Sequence, residues 1–248
     1  MRRWVAVFAL LMMGGCATTD ALSQRERQAE LHYRLGVDAL NKGMLPKAFD
    51  ELMRADKLQP NRAEVVDALA YAWRLRGDLD KAEALYRKAL RLRDRPETHN
   101  NYANLLLAMK RYQEAAAQAK LALDDPRYRN QHLALMNHGD AMLALGRYAE
   151  ALKDYRLAEQ FRPDAIEPIL KEAHAYALMQ RPYYARALLE SLLRRAPTNR
   201  SVVAALVELL RAQGDVGMAR AHLLRYRELA HDPLDRAWAD DQLGQMKP

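Results

Sequence analysis

Cysteine is almost missing from this chain: among 248 residues only Cys16 carries a thiol. No disulfide can therefore form within the molecule, and no thiol-rich metal site can be assembled. Long apolar runs are missing too. The longest, residues 4–13, is ten residues, whereas crossing a bilayer takes about 20. With 10 Gly and 10 Pro, the chain has neither a collagen-like nor a low-complexity composition, and 50% hydrophobic residues beside 29% charged ones exclude a multi-span membrane protein. Catalytic signatures are equally lacking. The seven histidines (32, 99, 132, 138, 174, 222 and 231) form no His-Glu-x-x-His set, and there is neither a Gly-x-Ser-x-Gly elbow nor a phosphate-binding glycine loop. His132 and His138 are six residues apart, which is not the spacing at which a helix brings two metal ligands together. His138, at a core position, reads as a packed, hydrogen-bonded side chain. The net charge of +7 is mixed in sign and too small to indicate a nucleic-acid partner. No enzymatic activity, cofactor, metal or small-molecule substrate is expected.

What is present begins at the N-terminus. Arg2 and Arg3, the apolar run and then Gly14-Gly15-Cys16 make a secretory signal of residues 1–15. Met13-Gly14-Gly15-Cys16 resembles the bacterial lipobox, with Met13 where leucine is commonest. The resemblance implies cleavage before Cys16 and lipidation of that residue; the alternative is ordinary cleavage near Ala17 with Cys16 discarded. Each buried acyl methylene contributes about 0.8 kcal/mol, so three chains hold a domain on a membrane. Ala17 follows the cysteine in place of the aspartate of inner-membrane retention signals, so the expected address is the periplasmic face of the outer membrane. Residues 16–28 read as the lipidated cysteine and a polar tether.

Self-similarity dominates the remainder. A turn residue, four further residues and an alanine recur as Gly43…Ala48, Gly77…Ala82, Lys110…Ala115, Gly146…Ala151, Gln180…Ala185 and Gly214…Ala219, the alanines being 34, 33, 36, 34 and 34 residues apart. This period resembles the tetratricopeptide repeat, a helix-turn-helix of 34 residues. With each alanine counted as position 20, position 8 holds Gly36, Ala70, Ala103, Gly139, Ala173 and Val207, and position 27 holds Ala55, Ala89, Ala122, Ala158, Leu192 and Tyr226. Small residues there allow close helix approach. Glycine at four turns suits a left-handed helix end. The expected fold is an all-α solenoid of six helix pairs (about 29–62, 63–95, 96–131, 132–165, 166–199 and 200–232) and a C-terminal capping helix over 233–248. The 36-residue interval inserts residues around Asp124 to Gln131, read either as a binding edge or as a neutral linker.

A solenoid binds by shape. The repeat resemblance implies that the first helix of each pair faces a partner, through Tyr33, Val37, Leu40, Asp67, Tyr71, Asn100, Asn104, Asp140, His174 and Arg211, among others such as Arg74. The resemblance does not extend to the Lys/Asn/Arg clamp for terminal carboxylates. From Arg181 to Ala230 there are nine arginines against four acids, read either as attraction to an acidic partner or anionic headgroups, or as a solvated surface with local ion pairs.

The lipobox, tether and six repeats, together with Asn100-Asn101-Tyr102, Arg111-Tyr112, Asp125-Pro126-x-Tyr128 and Pro182-Tyr183-Tyr184-Ala185-Arg186, resemble the type IV pilus pilotins. These are outer-membrane lipoproteins that help the secretin, the pore through which the pilus exits, to reach or assemble in that membrane. The stretch from His231 onward departs from the family pattern. The resemblance implies a monomeric, lipid-anchored secretin partner. The alternative is a repeat lipoprotein that scaffolds peptidoglycan enzymes or a periplasmic protease.

Overall fold

The computed structural model describes residues 23–246. The signal segment 1–15, Cys16 and the first part of the tether lie outside the described residues. Among the described residues the chain is helical throughout: α1 spans 23–41, followed by α2 (Leu45–Leu58), α3 (Ala63–Arg76), α4 (Leu79–Leu92), α5 (Pro96–Ala108), α6 (Tyr112–Asp124), α7 (Gln131–Ala144), α8 (Tyr148–Phe161), α9 (Glu167–Leu178), α10 (Pro182–Arg195), α11 (Arg200–Ala212), α12 (Val216–Leu229) and α13 (Pro233–Gln245). These make six pairs and a terminal helix. None of the described helices is long and apolar enough to cross a membrane.

Each pair is hinged at the position that the repeat marks as a turn. Gly43, Gly77, Gly146 and Gly214 have φ of 70°, 91°, 74° and 79°, and Lys110 and Gln180 adopt the same left-handed conformation at 59° and 57°. Glycine takes this geometry freely, whereas a Cβ adds strain there. Helix starts are marked by Pro96 and Pro233 at the first helical residue, where the missing N–H is not needed. Asp78, Asn199, Asp215 and Asp232 accept from backbone N–H groups of the following turn, filling donors that a helix end otherwise leaves bare.

Packing follows from the small residues. The six position-20 alanines are fully buried, Ala70 and Ala103 are 0% exposed, and Ala173 and Val207 are nearly so. At Gly36 a Cβ would stand 2.6 Å from Leu52, and at Gly139 it would stand 2.6 Å from the Tyr155 ring. Only glycine lets the two helices of those pairs meet at this distance. Where position 27 turns large, Leu192 and Tyr226 are 1% exposed and fill the space that alanine leaves elsewhere.

The chain divides into two compact units, one through Arg111 and one from Tyr112 onward. In the first, Ala39, Leu40, Phe49, Leu52, Val65, Leu69 and Ala72 form the core, with Phe49 edge-on to Trp73 at 4.9 Å. In the second, Leu189, Val203, Leu206, Leu210, Leu223 and Tyr226 lead a core that α13 closes with Ala239, Leu243 and Met246; Trp238 of α13 meets Tyr226 edge-on at 5.6 Å.

One sequence reading changes. Residues 23–28 are not tether: they are the first turns of α1, and Ala29 just beyond is 0% exposed, because the helix carries on past the polar stretch to bury its first small residue. In the insertion before α7 one side chain packs inward, while Asp124, Pro126, Arg127, Arg129 and Asn130 stay exposed. Tyr128 is 3% exposed among Ala122, Leu123 and Ala134. Arg127 donates to Asp125 through its backbone N–H and its guanidinium, and these bonds hold the Asp125 carboxyl down at about 2.

Candidate functional site

The first helices of the pairs in the first unit are α1, α3 and α5. On α1, Tyr33 and Val37 are half-buried and pack on the core together with Tyr71 of α3. Arg62 lies 4.9 Å over the Tyr33 ring, and Arg74 lies 4.9 Å over that of Tyr71, so each tyrosine presents an aromatic surface edged by a guanidinium. Burial raises the Tyr33 hydroxyl pKa; Arg95 opposes this, while Asp67 and Glu64 add to it.

Asp67 is the most perturbed carboxylate of this face. Burial lifts it from 3.8 to about 6, against the lowering effect of the neighbouring Thr98 and Asn101 side chains. Asn101 Nδ2 donates to its Oδ2 at 3.0 Å, joining α3 to α5 across one repeat. The other oxygen, Oδ1, is buried with no hydrogen-bond partner, and so are Arg74 Nε and the Tyr86 hydroxyl. The charges of Asp67 and Arg74 both act on the Tyr86 hydroxyl, which burial raises well above 10. Buried polar atoms nearly always have partners; these three, with Thr98 Oγ1 likewise bare, are closed off from solvent, and they make this a strained polar patch of the interior beneath the face.

Close by, Glu83 accepts from the Tyr102 hydroxyl at 2.7 Å, Arg111 at 2.6 Å and Arg87 at 2.7 Å. Burial works against its ionisation, yet these donors hold its carboxyl below the usual range. Glu64 likewise gathers Arg62, Arg93 and Arg95.

The structure therefore brings together Tyr33, Val37, Asp67 and Tyr71. Leu40 and Asn100 do not join them as accessible surface. Leu40 is 9% exposed and belongs to the core beside Leu52 and Phe49, its helical position turning it inward. Asn100 is 7% exposed and already engaged in the interior. Asn104 is half-buried on α5. The remaining expected residues lie in the second unit. Asp140 of α7 accepts from Tyr155 at 2.9 Å and from Lys171 of α9 at 2.9 Å, and His174 and Arg211 are exposed on α9 and α11. His138 is hydrogen-bonded to Asp154 at 2.7 Å. No cluster of metal ligands occurs among the described residues. Asn101 is a site residue that the repeat register does not point to, because the position of Asp67 recurs at Asn100, which is buried, and not at its half-buried neighbour. Its separation of 34 from Asp67 was the available signal.

No protein-family model matches the chain. A 126-residue stretch is 30% identical to cellulose synthase operon protein C of Escherichia coli, covering 50% of this chain and 11% of that one. A 143-residue stretch is 29% identical to the type IV pilus assembly protein PilF of Pseudomonas aeruginosa, covering 54% of this chain and 57% of that one. The chain thus spans little of the first relative and little more than half of the second. Among solved structures, that of Pseudomonas aeruginosa PilF superposes with a TM-score of 0.70 at 22% identity over 88% of this chain and 99% of that one. PilW, a type IV pilus biogenesis factor, superposes at 0.75 and 18% identity over 84% and 97%. The chain is a tetratricopeptide-repeat protein related to PilF. Another repeat protein, from Parabacteroides merdae, shares the fold with a TM-score of 0.68 at 17% identity, so the fold alone does not select a function.

Proposed function

We propose that this chain is a pilus-assembly lipoprotein that holds a segment of the outer-membrane secretin on the α1–α3–α5 face and promotes the secretin's localisation or multimer assembly. The observation that carries the reading is the coincidence on one face of aromatic anchors, Tyr33 and Tyr71, with the guanidinium groups of Arg62 and Arg74 set over their rings. Aromatic rings supply contact area at low entropic cost, and the guanidinium groups beside them give register to an extended or amphipathic segment laid across the face. The sequence relation to PilF supports the pilus setting. Cys16 supplies the membrane address through its acyl chains, on the periplasmic face of the outer membrane.

The test is secretin multimerisation in cells carrying Tyr33→Glu, Val37→Glu or Tyr71→Glu. Multimers should be lost while the protein stays folded, lipidated and at normal abundance; undiminished multimers refute the assignment of the face. Cys16→Ala should release the protein from the outer-membrane fraction, and a variant that still fractionates there refutes lipid anchoring. Recovery of peptidoglycan enzymes or a protease in place of the secretin, after crosslinking through this face, would shift the reading to an adaptor of those proteins.

A further inference from the structure

The second unit carries a feature that the α1–α3–α5 face does not use. Between α10 and α12 lies a cleft of about 510 Å³, within the size range of small-ligand and side-chain pockets. Leu193, Pro197, Val203, Tyr226 and Leu229 give it apolar walls, and Arg194, Arg225, His222 and Glu190 give it polar ones. It lies on the second helices of the last two pairs, with Val203 of α11 between them.

The arginine-rich character of this region now resolves into two populations. Arg186 is held by Glu190 at 2.8 Å and Asp215 at 3.7 Å, Arg227 by Asp240 at 2.9 Å, and Arg200 by Asp235 at 3.9 Å and by the Trp238 ring at 5.0 Å. Arg195 donates to the Pro163 carbonyl. Arg194 and Arg225 are exposed, have no ion pair among the described residues, and converge on the cleft. The one acid that lines it, Glu190, is already neutralised by Arg186. Burial lowers the pKa of His222, with Glu190 opposing and Arg186 reinforcing the shift, so at neutral pH the ring is an uncharged hydrogen-bonding group.

We infer that this cleft is a second docking site, taking an acidic protein segment in which a large apolar side chain enters between Leu193, Val203 and Leu229 while neighbouring carboxylates pair with Arg194 and Arg225. Guanidinium forks match carboxylates bidentately, and the apolar walls call for a side chain beside the charge. The volume suits one or two side chains and not the paired acyl chains of a phospholipid, which favours a protein segment over a membrane headgroup.

The probe is a fluorescein-labelled, end-blocked peptide of sequence Asp-Glu-Leu-Phe-Glu, with its Asn-Gln-Leu-Phe-Gln counterpart as control, titrated with the full-length protein by fluorescence anisotropy. The acidic peptide should bind and the amide peptide should bind at least tenfold more weakly. Reversing Arg194→Glu together with Arg225→Glu should weaken the acidic peptide at least tenfold. Reversing Arg181→Glu with Arg220→Glu, two exposed arginines outside the cleft, should leave it within twofold. Leu193→Ser should weaken binding with no change in net charge. Equal loss in the two arginine pairs would mean diffuse charge attraction and overturns the site, as do equal binding of both peptides and absence of binding by either. Displacement of the acidic peptide by phosphatidylglycerol vesicles, but not by phosphatidylcholine vesicles, with the same dependence on Arg194 and Arg225, would mark a lipid site and overturn the protein segment. Circular dichroism melts of each variant separate loss of the site from loss of the fold.

Discussion

Replacing Asp67 by asparagine should raise the stability of the protein at neutral pH and remove part of its pH dependence. The folded chain holds this carboxyl's proton up to about pH 6, while the unfolded chain releases it near 3.8. Between those values the folded state binds a proton that the unfolded state has already lost, so stability falls as pH rises through the window and stays lower above it. The gap sets a ceiling of about 3 kcal/mol on what the ionised carboxylate costs at pH 7, at about 1.36 kcal/mol per pKa unit. Asparagine keeps the size of the side chain and can still accept from Asn101. Its new N–H₂ occupies the place of the bare Oδ1, and burying it returns about 1 kcal/mol of the gain. The net expectation is a variant about 1–2 kcal/mol more stable at pH 7 and nearly equal to the parent at pH 4. Urea unfolding of both proteins at unit steps from pH 4 to 8 measures it. The difference between the two proteins is the quantity to plot, because Glu30, Glu64 and Glu83 all titrate below the usual range in the folded chain and tilt both curves the other way at the acid end. A variant less stable than its parent at pH 7, or a difference that is flat from pH 4 to 6, would show that the carboxylate is comfortable as an anion.

Other expectations follow from packing and turn geometry. Gly139→Ala drives a Cβ to 2.6 Å from the buried Tyr155 ring and should lower stability by about 1–3 kcal/mol. Gly217→Ala, in α12 with nothing within 4 Å of the new atom, should raise it by about 0.5–1 kcal/mol; thermal melts of the two variants should move in opposite directions. Lys110→Gly and Gln180→Gly relieve left-handed non-glycine residues and should each stabilise by about 0.5–1 kcal/mol, with no change on denaturation counting against strain at these turns. Glu83→Gln weakens three charge-assisted contacts and should cost about 1.5–3 kcal/mol at pH 7. Because its folded pKa is depressed, that stabilisation is present above the unfolded value and is lost as pH falls through the folded one. Parent and variant should therefore converge in acid, and a constant gap down to pH 2 would contradict the assignment.

The helix pairs, their hinges and their close approaches were legible because each rests on one residue type at one spacing: an alanine every 33 to 36 residues, and a turn residue five before it that proves left-handed even where it is lysine or glutamine. The functional face was legible only in outline. Tyr33, Val37, Asp67 and Tyr71 fall together, but periodicity assigns a residue to a side of a helix and not to a depth, so Leu40 and Asn100, at inward positions, proved to be core. Asn101 could not be picked out by register, because the repeat position of Asp67 recurs at Asn100, 33 residues on, and the hydrogen bond from Asn101 became visible only with coordinates. The two classes of arginine in the last repeats could be separated from sequence only in part: Arg186 has Glu190 one turn on in its own helix, but the partner of Arg227, Asp240, lies on another helix.

Tyr128, tucked beneath the inserted corner, bears on how the second unit unfolds. In an array where each repeat leans only on its neighbours, extra chain between two of them is the natural place for cooperativity to break. Here the added segment lodges an aromatic ring between the end of α6 and the start of α7, so a tug on one of these helices is transmitted to the other. Amides of α6 and α7 should exchange with solvent as a single block, and Tyr128→Ala should split that block in two.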